Sequence, residues 1–438
     1  MSRAAKIYIL LISLTLIFLL GTGSNHNSAG KNKAANHYKW LASLGALFDF
    51  RLKETAATPL EEGTNSGENG ITVVTVPPVE PAEPPVIKGV YLTGWMAGNP
   101  AAVNQLLDFV RKTEVNSVVI DVKDDSGLIS YPSKVPMAEM TGSARKKFNP
   151  EKIIALLKEN NIYPIARIVV FKDPYLAMRR PDLAVKSSEG GLWSDFKGLH
   201  WVDPYNKQVW DYNIAIAKEA VEYGFKEIQF DYIRFTSDGI TKNCRYPSND
   251  GRVKSDVIRD YLKYAYQELK PLGVKVSADV FGLTCSAQGD IGIGQVIEKV
   301  AEGVDIICPM VYPSHYYKGV YNIPNPDAEP YETVYKSLTD ALQKLANLNK
   351  KVALRPWLQD FSLKSHYGKE QLLAQIKAVE SAGLKEWIFW NPVNKYDYHK
   401  YRPKSEVPEE LFSPTENEVP DSKGLFPNSQ LDQPPAEP

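Results

Sequence analysis

Four times in this 438-residue chain a helical pattern runs into a glycine and a strand pattern begins at once: VEYGFKEIQFD, KPLGVKVSADV, VAEGVDIICPM and ESAGLKEWIFW. Glycine tolerates the left-handed conformation that closes a helix, so each joint reads as a tight helix-to-strand loop. The glycines are Gly224, Gly273, Gly303 and Gly383, separated by 49, 30 and 80 residues, the last interval long enough for two units. Filling the gaps yields eight strand candidates: 88–93, 117–123, 163–171, 227–231, 275–279, 305–312, 351–357 and 386–390. Between them lie helical stripes such as Val103, Leu106 and Val110, or Trp210, Ile214, Ala217 and Val221, with Asp203-Pro204 as the expected cap and first turn of the second. Parallel strands joined by crossover helices must be covered on the outside, so the pattern predicts an α/β fold, a (β/α)8 TIM barrel. A doubly wound open sheet is the alternative, but YLTGWMAGNP after the first strand is no G-x-G-x-x-G phosphate turn.

Side chains alternate along a strand, so one parity faces the helices and the other the barrel axis. Ile228 and Phe230 belong to the helix side, which turns Glu227, Gln229 and Asp231 inward and leaves Asp231 at the C-terminal mouth. The same reasoning sends Asp121, Lys123, Arg167, Ser277, Asp279, Met310, Tyr312, Arg355 and Trp357 inward. Barrel interiors are mostly filled by branched apolar residues, and barrel enzymes keep their chemistry at the C-terminal face. Inward charges on five strands therefore point to a site at the mouth, lined by Asp121, Lys123, Arg167, Asp231, Asp279 and Arg355. Asp231 and Asp279 lie on adjacent strands. Two close carboxylates repel, which raises the pKa of one and leaves the other ionised, the division of labour that glycoside hydrolysis uses. Arg234 or Arg355 is expected to keep Asp231 ionised, and Trp95, Tyr312, Trp357 and Trp390 at other strand ends could form a floor for stacked sugars.

Composition narrows the substrate. With 51 basic and 52 acidic residues the net charge is −1, so no overall field attracts nucleic acid. Tryptophan (8), tyrosine (24) and phenylalanine (15) are plentiful, which fits stacking on sugars better than phosphate binding. The three cysteines, Cys244, Cys285 and Cys308, lack Cys-x-x-Cys spacing, and DVKDDSG lacks the calcium-loop pattern, so neither a metal nor a cofactor is expected.

The chain ends look different. Arg3 and Lys6 precede an apolar run over 7–20 and the small-residue patch GTGS, so 1–23 reads as a signal peptide or N-terminal membrane anchor. Residues 24–85 read as a low-complexity, disordered linker, 86–402 as the barrel domain and 403–438 as a disordered tail. An extracytoplasmic, secreted or membrane-anchored monomer is expected, and in that compartment Cys244 and Cys285, on neighbouring loops, are expected to form a disulfide with Cys308 left buried.

Six stretches, IKGVYLTGW, VIDVKDDSG, HWVDPYNKQVWDYNIAIAKEA, GFKEIQFDYIRF, VSADVFG and CPMVYPSHY, resemble a bacterial family of glycoside hydrolase-like (β/α)8 barrels long catalogued as a domain of unknown function. That family is distantly similar to α-amylase-type hydrolases, and the resemblance covers nearly all of 86–401. It implies an exported glycoside hydrolase acting on a cell-wall or extracellular polysaccharide. It places the nucleophile at Asp231 and the acid at Asp279. The chain departs from the amylase pattern in carrying Gln229 where an arginine is expected and an aspartate, not a glutamate, as acid. Two other functions compete: a carbohydrate- or wall-binding barrel without turnover, and a Schiff-base aldolase using Lys123.

Overall fold

In the computed structural model, which describes residues 85–406, the strands are β1 (Lys88–Leu92), β2 (Ser117–Lys123), β3 (Tyr163–Val169), β4 (Glu227–Asp231), β5 (Lys275–Phe281), β6 (Ile306–Met310), β7 and β8 (Trp387–Trp390). The seventh comes in two pieces, Ala353–Leu354 and Trp357–Gln359. Pro356 between them has no N–H to donate, and the chain changes partner there: the first piece pairs with β6, the second chiefly with β8. All neighbours are parallel. The ring closes where Lys88, Gly89 and Val90 of β1 lie beside Trp387, Ile388 and Phe389 of β8, which makes it a (β/α)8 barrel and not an open doubly wound sheet.

Around the strands pack α1 (Pro100–Lys112), α2 (Pro150–Glu159), α3 (Lys207–Tyr223), α4 (Lys254–Leu269), α5 (Ile297–Ala301), α6 (Pro330–Leu345) and α7 (Lys369–Ser381). Helix α3 starts later than the sequence suggests. Asn206 is its cap, with a side chain that accepts from Gln208 N–H, while Asp203 accepts from Tyr205 and Ser248 N–H and pins the loop after β4 instead. Gly224 ends α3 in the left-handed region at φ 107°, as a helix-closing glycine should. Gly303 is required for a different reason: a Cβ there would lie 2.6 Å from the Leu262 backbone, so glycine lets the end of α5 close onto α4.

The alternation of apolar residues produces two cores. Val118, Ile120, Val122, Ile228, Phe230, Val276, Ala278 and Val280 are fully buried against the helices, Phe230 meeting Tyr261 edge-on at 5.5 Å. Inside the ring, Val119, Ile165, Ile306, Cys308 and Ile388 form a second, smaller cluster. Each such side chain stabilises the fold by about 2 kcal/mol on leaving water.

All three cysteines are free thiols and buried, so the expected Cys244–Cys285 disulfide does not form. The reason is loop pairing. Cys244 and Arg245 make a two-stranded ribbon with Ser187 and Lys186, so the β4 loop zips to the β3 loop and not to the β5 loop that holds Cys285. The expected leader (1–23), linker (24–85) and tail (403–438) lie outside the described residues apart from Pro85 and 403–406. Among the described residues no helix is long and apolar enough to cross a membrane.

Candidate active site

Strand β4 ends at Asp231 because the next residue turns the chain. Tyr232 adopts φ 50°, a left-handed conformation that costs a residue other than glycine about 1–3 kcal/mol. That turn directs Tyr232 N–H back to Asp231 Oδ1 at 2.5 Å. The other carboxylate oxygen, Oδ2, accepts from Arg167 Nε at 2.9 Å and Nη2 at 2.5 Å. Arg167 reaches the opposite way as well, donating Nη1 to Asp121 Oδ1 at 2.5 Å, and Asp121 Oδ2 accepts from Tyr91 Oη at 2.5 Å. One arginine thus bridges two carboxylates from neighbouring strands. Burial works against the charge of Arg167, but Asp121 and Asp231 more than offset it and hold the guanidinium firmly protonated. Burial also pushes Asp121 up to about 6 against the opposing pull of Arg167. Tyr91, raised by burial and by Asp121, stays a proton donor.

Asp279 is the second carboxylate. The register Phe230↔Ala278 sets Asp231, at the end of β4, beside Asp279, two residues before the end of β5. Asp279 Oδ1 accepts from Trp357 Nε1 at 2.7 Å across the barrel. Its carboxyl is raised well above the usual carboxylate range, first by burial and then by the negative charge of Asp231. Neighbouring carboxyls in unlike settings, one held by an arginine and one by an indole, are what acid and base roles require.

Aromatic rings stand over this group. Tyr312 and Trp390 stack at 5.5 Å, and Phe361 meets Trp390 at 5.2 Å and Tyr312 at 5.8 Å. Arg234 lies on a second set of rings, Phe281, Trp201 and Tyr232. Of the residues expected at the mouth, Asp121, Arg167, Asp231, Asp279, Tyr312, Trp357 and Trp390 come together. Arg234 stands beside Tyr232 and does not touch Asp231. Trp95 projects from the turn after β1, 65 % exposed, with Lys147 Nζ 5.8 Å from its ring.

Two expected residues are elsewhere. A register shift between Asp121 and Lys123 turns Lys123 out of the barrel, where its amine is sealed by Asp173, Val169 O and Asn213 of α3. That removes the lysine an aldolase would need at the mouth. Arg355 faces inward but reaches down the barrel. It forms a fork with Glu227, at 2.8 and 2.9 Å, and bonds Glu386 at 2.9 Å, both at strand starts. It therefore braces the floor and cannot serve Asp231. Residues not anticipated include Tyr91, Trp201, Phe281 and Phe361. Tyr91 and Phe281 were accessible to the parity argument applied to β1 and β5; Trp201 and Phe361 follow from loop paths that no periodicity encodes.

Around the mouth, the exposed large apolar side chains fall on one side of the molecule. Trp95, Met140, Phe196, Ile240, Ile291, Tyr317, Leu363 and Val393 each lie on the connection that follows a different strand, and only Leu272 among such described residues precedes one. The C-terminal face is thus rimmed with contact surface around the carboxylates.

Fold and site together define a (β/α)8 barrel with two adjacent carboxyls at its C-terminal mouth. The family described as "Putative glycosyl hydrolase domain" matches residues 89–396, and the chain belongs to it. It is thereby a glycosidase by family. No curated protein matches this chain. Among solved structures, a hypothetical protein from Ruminiclostridium thermocellum ATCC 27405 is 45 % identical over 44 % of this chain and 97 % of that one, with a TM-score of 0.41. The PgaB (BpsB) glycoside hydrolase domain from Bordetella bronchiseptica is 12 % identical over 76 % of this chain and all (100 %) of that one, TM-score 0.54, a likeness of fold. The PelA glycoside hydrolase domain from Pseudomonas aeruginosa is 12 % identical over 70 % and 96 %, TM-score 0.41.

Proposed function

We propose that this barrel hydrolyses the O-glycosidic bonds of an extracytoplasmic polysaccharide, with Asp231 as nucleophile and Asp279 as acid. The observation that carries the reading is the pairing of two register-adjacent carboxyls in opposite settings. Asp279, buried and facing the charge of Asp231, holds its proton and donates it to the leaving glycosidic oxygen. Asp231, ion-paired to Arg167, attacks the anomeric carbon, and water later releases the sugar with Asp279 acting as base. Carboxyls from adjacent strands favour this retaining route over an inverting one, which needs room for a water between them. The stacked pair Tyr312 and Trp390 would carry a sugar ring, and the apolar rim suits a chain longer than one sugar. Export and membrane association rest on the basic residues and apolar run over 3–20 and on the expected linker.

The test is release of reducing ends from purified cell-wall and biofilm polysaccharides, with the anomeric configuration of the first product read by NMR. Hydrolysis by the parent and none by Asp231→Asn supports the reading. Binding without turnover on every polymer would make the barrel a carbohydrate-binding module instead.

A further inference from the structure

Arg234 is 4 % exposed and lies over three rings, with its guanidinium carbon 4.7 Å from the centre of Phe281, 4.9 Å from Trp201 and 5.1 Å from Tyr232. Only one of its terminal nitrogens is spent within the protein: Nη1 donates to Phe235 O at 3.2 Å and to Ser237 Oγ at 3.1 Å. The opposite edge, formed by Nε and Nη2, makes no hydrogen bond. The nearest carboxylate oxygen, Asp238 Oδ2, stands 3.9 Å from Nη2, beyond hydrogen-bond range. The side chain keeps 5 % exposure, and neither nitrogen belongs to the fully sealed polar atoms of the interior, so water reaches this edge only narrowly. In Arg167 the same edge is filled by Asp231. A planar Nε–Nη2 edge matches the two oxygens of a carboxylate or phosphate, and a guanidinium boxed in by rings gains most from such a partner because little water competes.

The position of that edge matters. Tyr232 follows Asp231 directly, and Phe281 closes β5 with the same inward parity as Asp279. Lys172 lies near the same ring, its amine 4.9 Å from the centre of Tyr232 and paired with Asp125 at 2.8 Å. We infer that Arg234 receives an anionic substituent of the glycan, a carboxylate or a phosphate on a sugar at or beside the bond to be cleaved, so that the substrate is an acidic polysaccharide. This rests on the glycosidase reading of the same mouth, yet it concerns binding and can be measured without turnover.

The experiment is calorimetric titration of the full chain with three oligosaccharide pairs that differ only in charge. Two are uronate oligomers, one from oligogalacturonate and one from hyaluronan, each against its carboxyl-reduced form; the third is a phosphate-substituted oligosaccharide against its dephosphorylated form. The parent should bind at least one charged member about tenfold or more tightly than its neutral twin. Arg234→Gln should lose that preference, and Arg234→Lys, which keeps the charge without the planar edge, should lose most of it. Asp238→Asn, which removes the competing carboxylate and leaves the ring box intact, should strengthen binding of the charged member. The pair that shows the preference tells carboxylate from phosphate. Equal affinity of the parent for both members of all three pairs overturns the inference, as does an unchanged preference in Arg234→Gln. Cleavage of neutral glycans without charge preference would sink this inference and leave the glycosidase standing. Charge-dependent binding with no reducing ends released from any polymer would do the reverse.

Discussion

Arg167 holds Asp231 through two of its nitrogens, Nε at 2.9 Å and Nη2 at 2.5 Å, and spends the third on Asp121. It is a positioning residue that fixes one carboxylate by leaning on another. Arg167→Lys keeps the charge but can serve only one partner at a time. Its kcat should fall by about 10²-fold with KM little changed, since a misplaced nucleophile weakens the transition state more than binding. Arg167→Met should also lose about 3–5 kcal/mol of stability in denaturant titrations, because two buried carboxyls lose their counter-charge. An unaltered kcat in the lysine variant would remove Arg167 from the mechanism.

Asp231→Asn and Asp279→Asn should each lower turnover by about 10²–10⁴-fold. The Asp279→Asn protein should melt at or above the parent temperature, since burial keeps the carboxyl neutral and the amide that replaces it is neutral too. Scanning calorimetry and initial rates on the same preparations check both. A large drop in melting temperature with activity lost only in proportion would mark a structural pair.

Stability should depend on Asp121 in a defined pH window. Its folded pKa, about 6, exceeds the ordinary carboxyl value near 3.9, so the folded protein keeps a proton that the unfolded chain has already released. This contribution is fully present below about 4 and lost as pH rises through about 6. For a two-unit shift it amounts to about 3 kcal/mol at most. Urea unfolding at about pH 4.5 and pH 7.5 should therefore show a larger loss in the parent than in Asp121→Asn.

The thiols give a check on how the loops pair. Cys244, Cys285 and Cys308 are free and buried, and burial raises all three, Cys244 to about 11 and Cys285 to about 12. A thiol reagent should label none of them quickly in the native protein and all three after unfolding. One thiol instead of three in the unfolded, unreduced state would require the β3 and β5 loops to exchange places around Cys244.

How much of this was legible in the sequence depends on what alternation can say. Parity along β2, β3, β4 and β5 brings Asp121, Arg167, Asp231 and Asp279 to one end of one ring, because Val118, Ile228 and Val276 must face the helices. Parity fails where a strand slips. The shift after Asp121 turns Lys123 into the helix layer, and nothing in SVVIDVK signals it. Parity also separates inside from outside but not up from down. Arg355 points inward as expected, yet its long side chain prefers Glu227 and Glu386 at the floor to the carboxylates above. The β3 and β4 loops pair with each other through Ser187 and Cys244, a contact between short segments far apart in the chain, and only the folded barrel brings it about.

Trp357 Nε1 ends its hydrogen bond on the carboxyl oxygen of Asp279, and an indole is a chromophore. The group that would deliver the proton therefore carries its own optical reporter. Ionisation of Asp279 puts a negative charge on the carboxylate beside the pyrrole N–H of that ring and shifts its absorption and emission. Difference spectra of the parent against Trp357→Phe, followed through an alkaline titration, would record the proton leaving the acid. The protonation state of this barrel can thus be watched in the resting protein, with no substrate present.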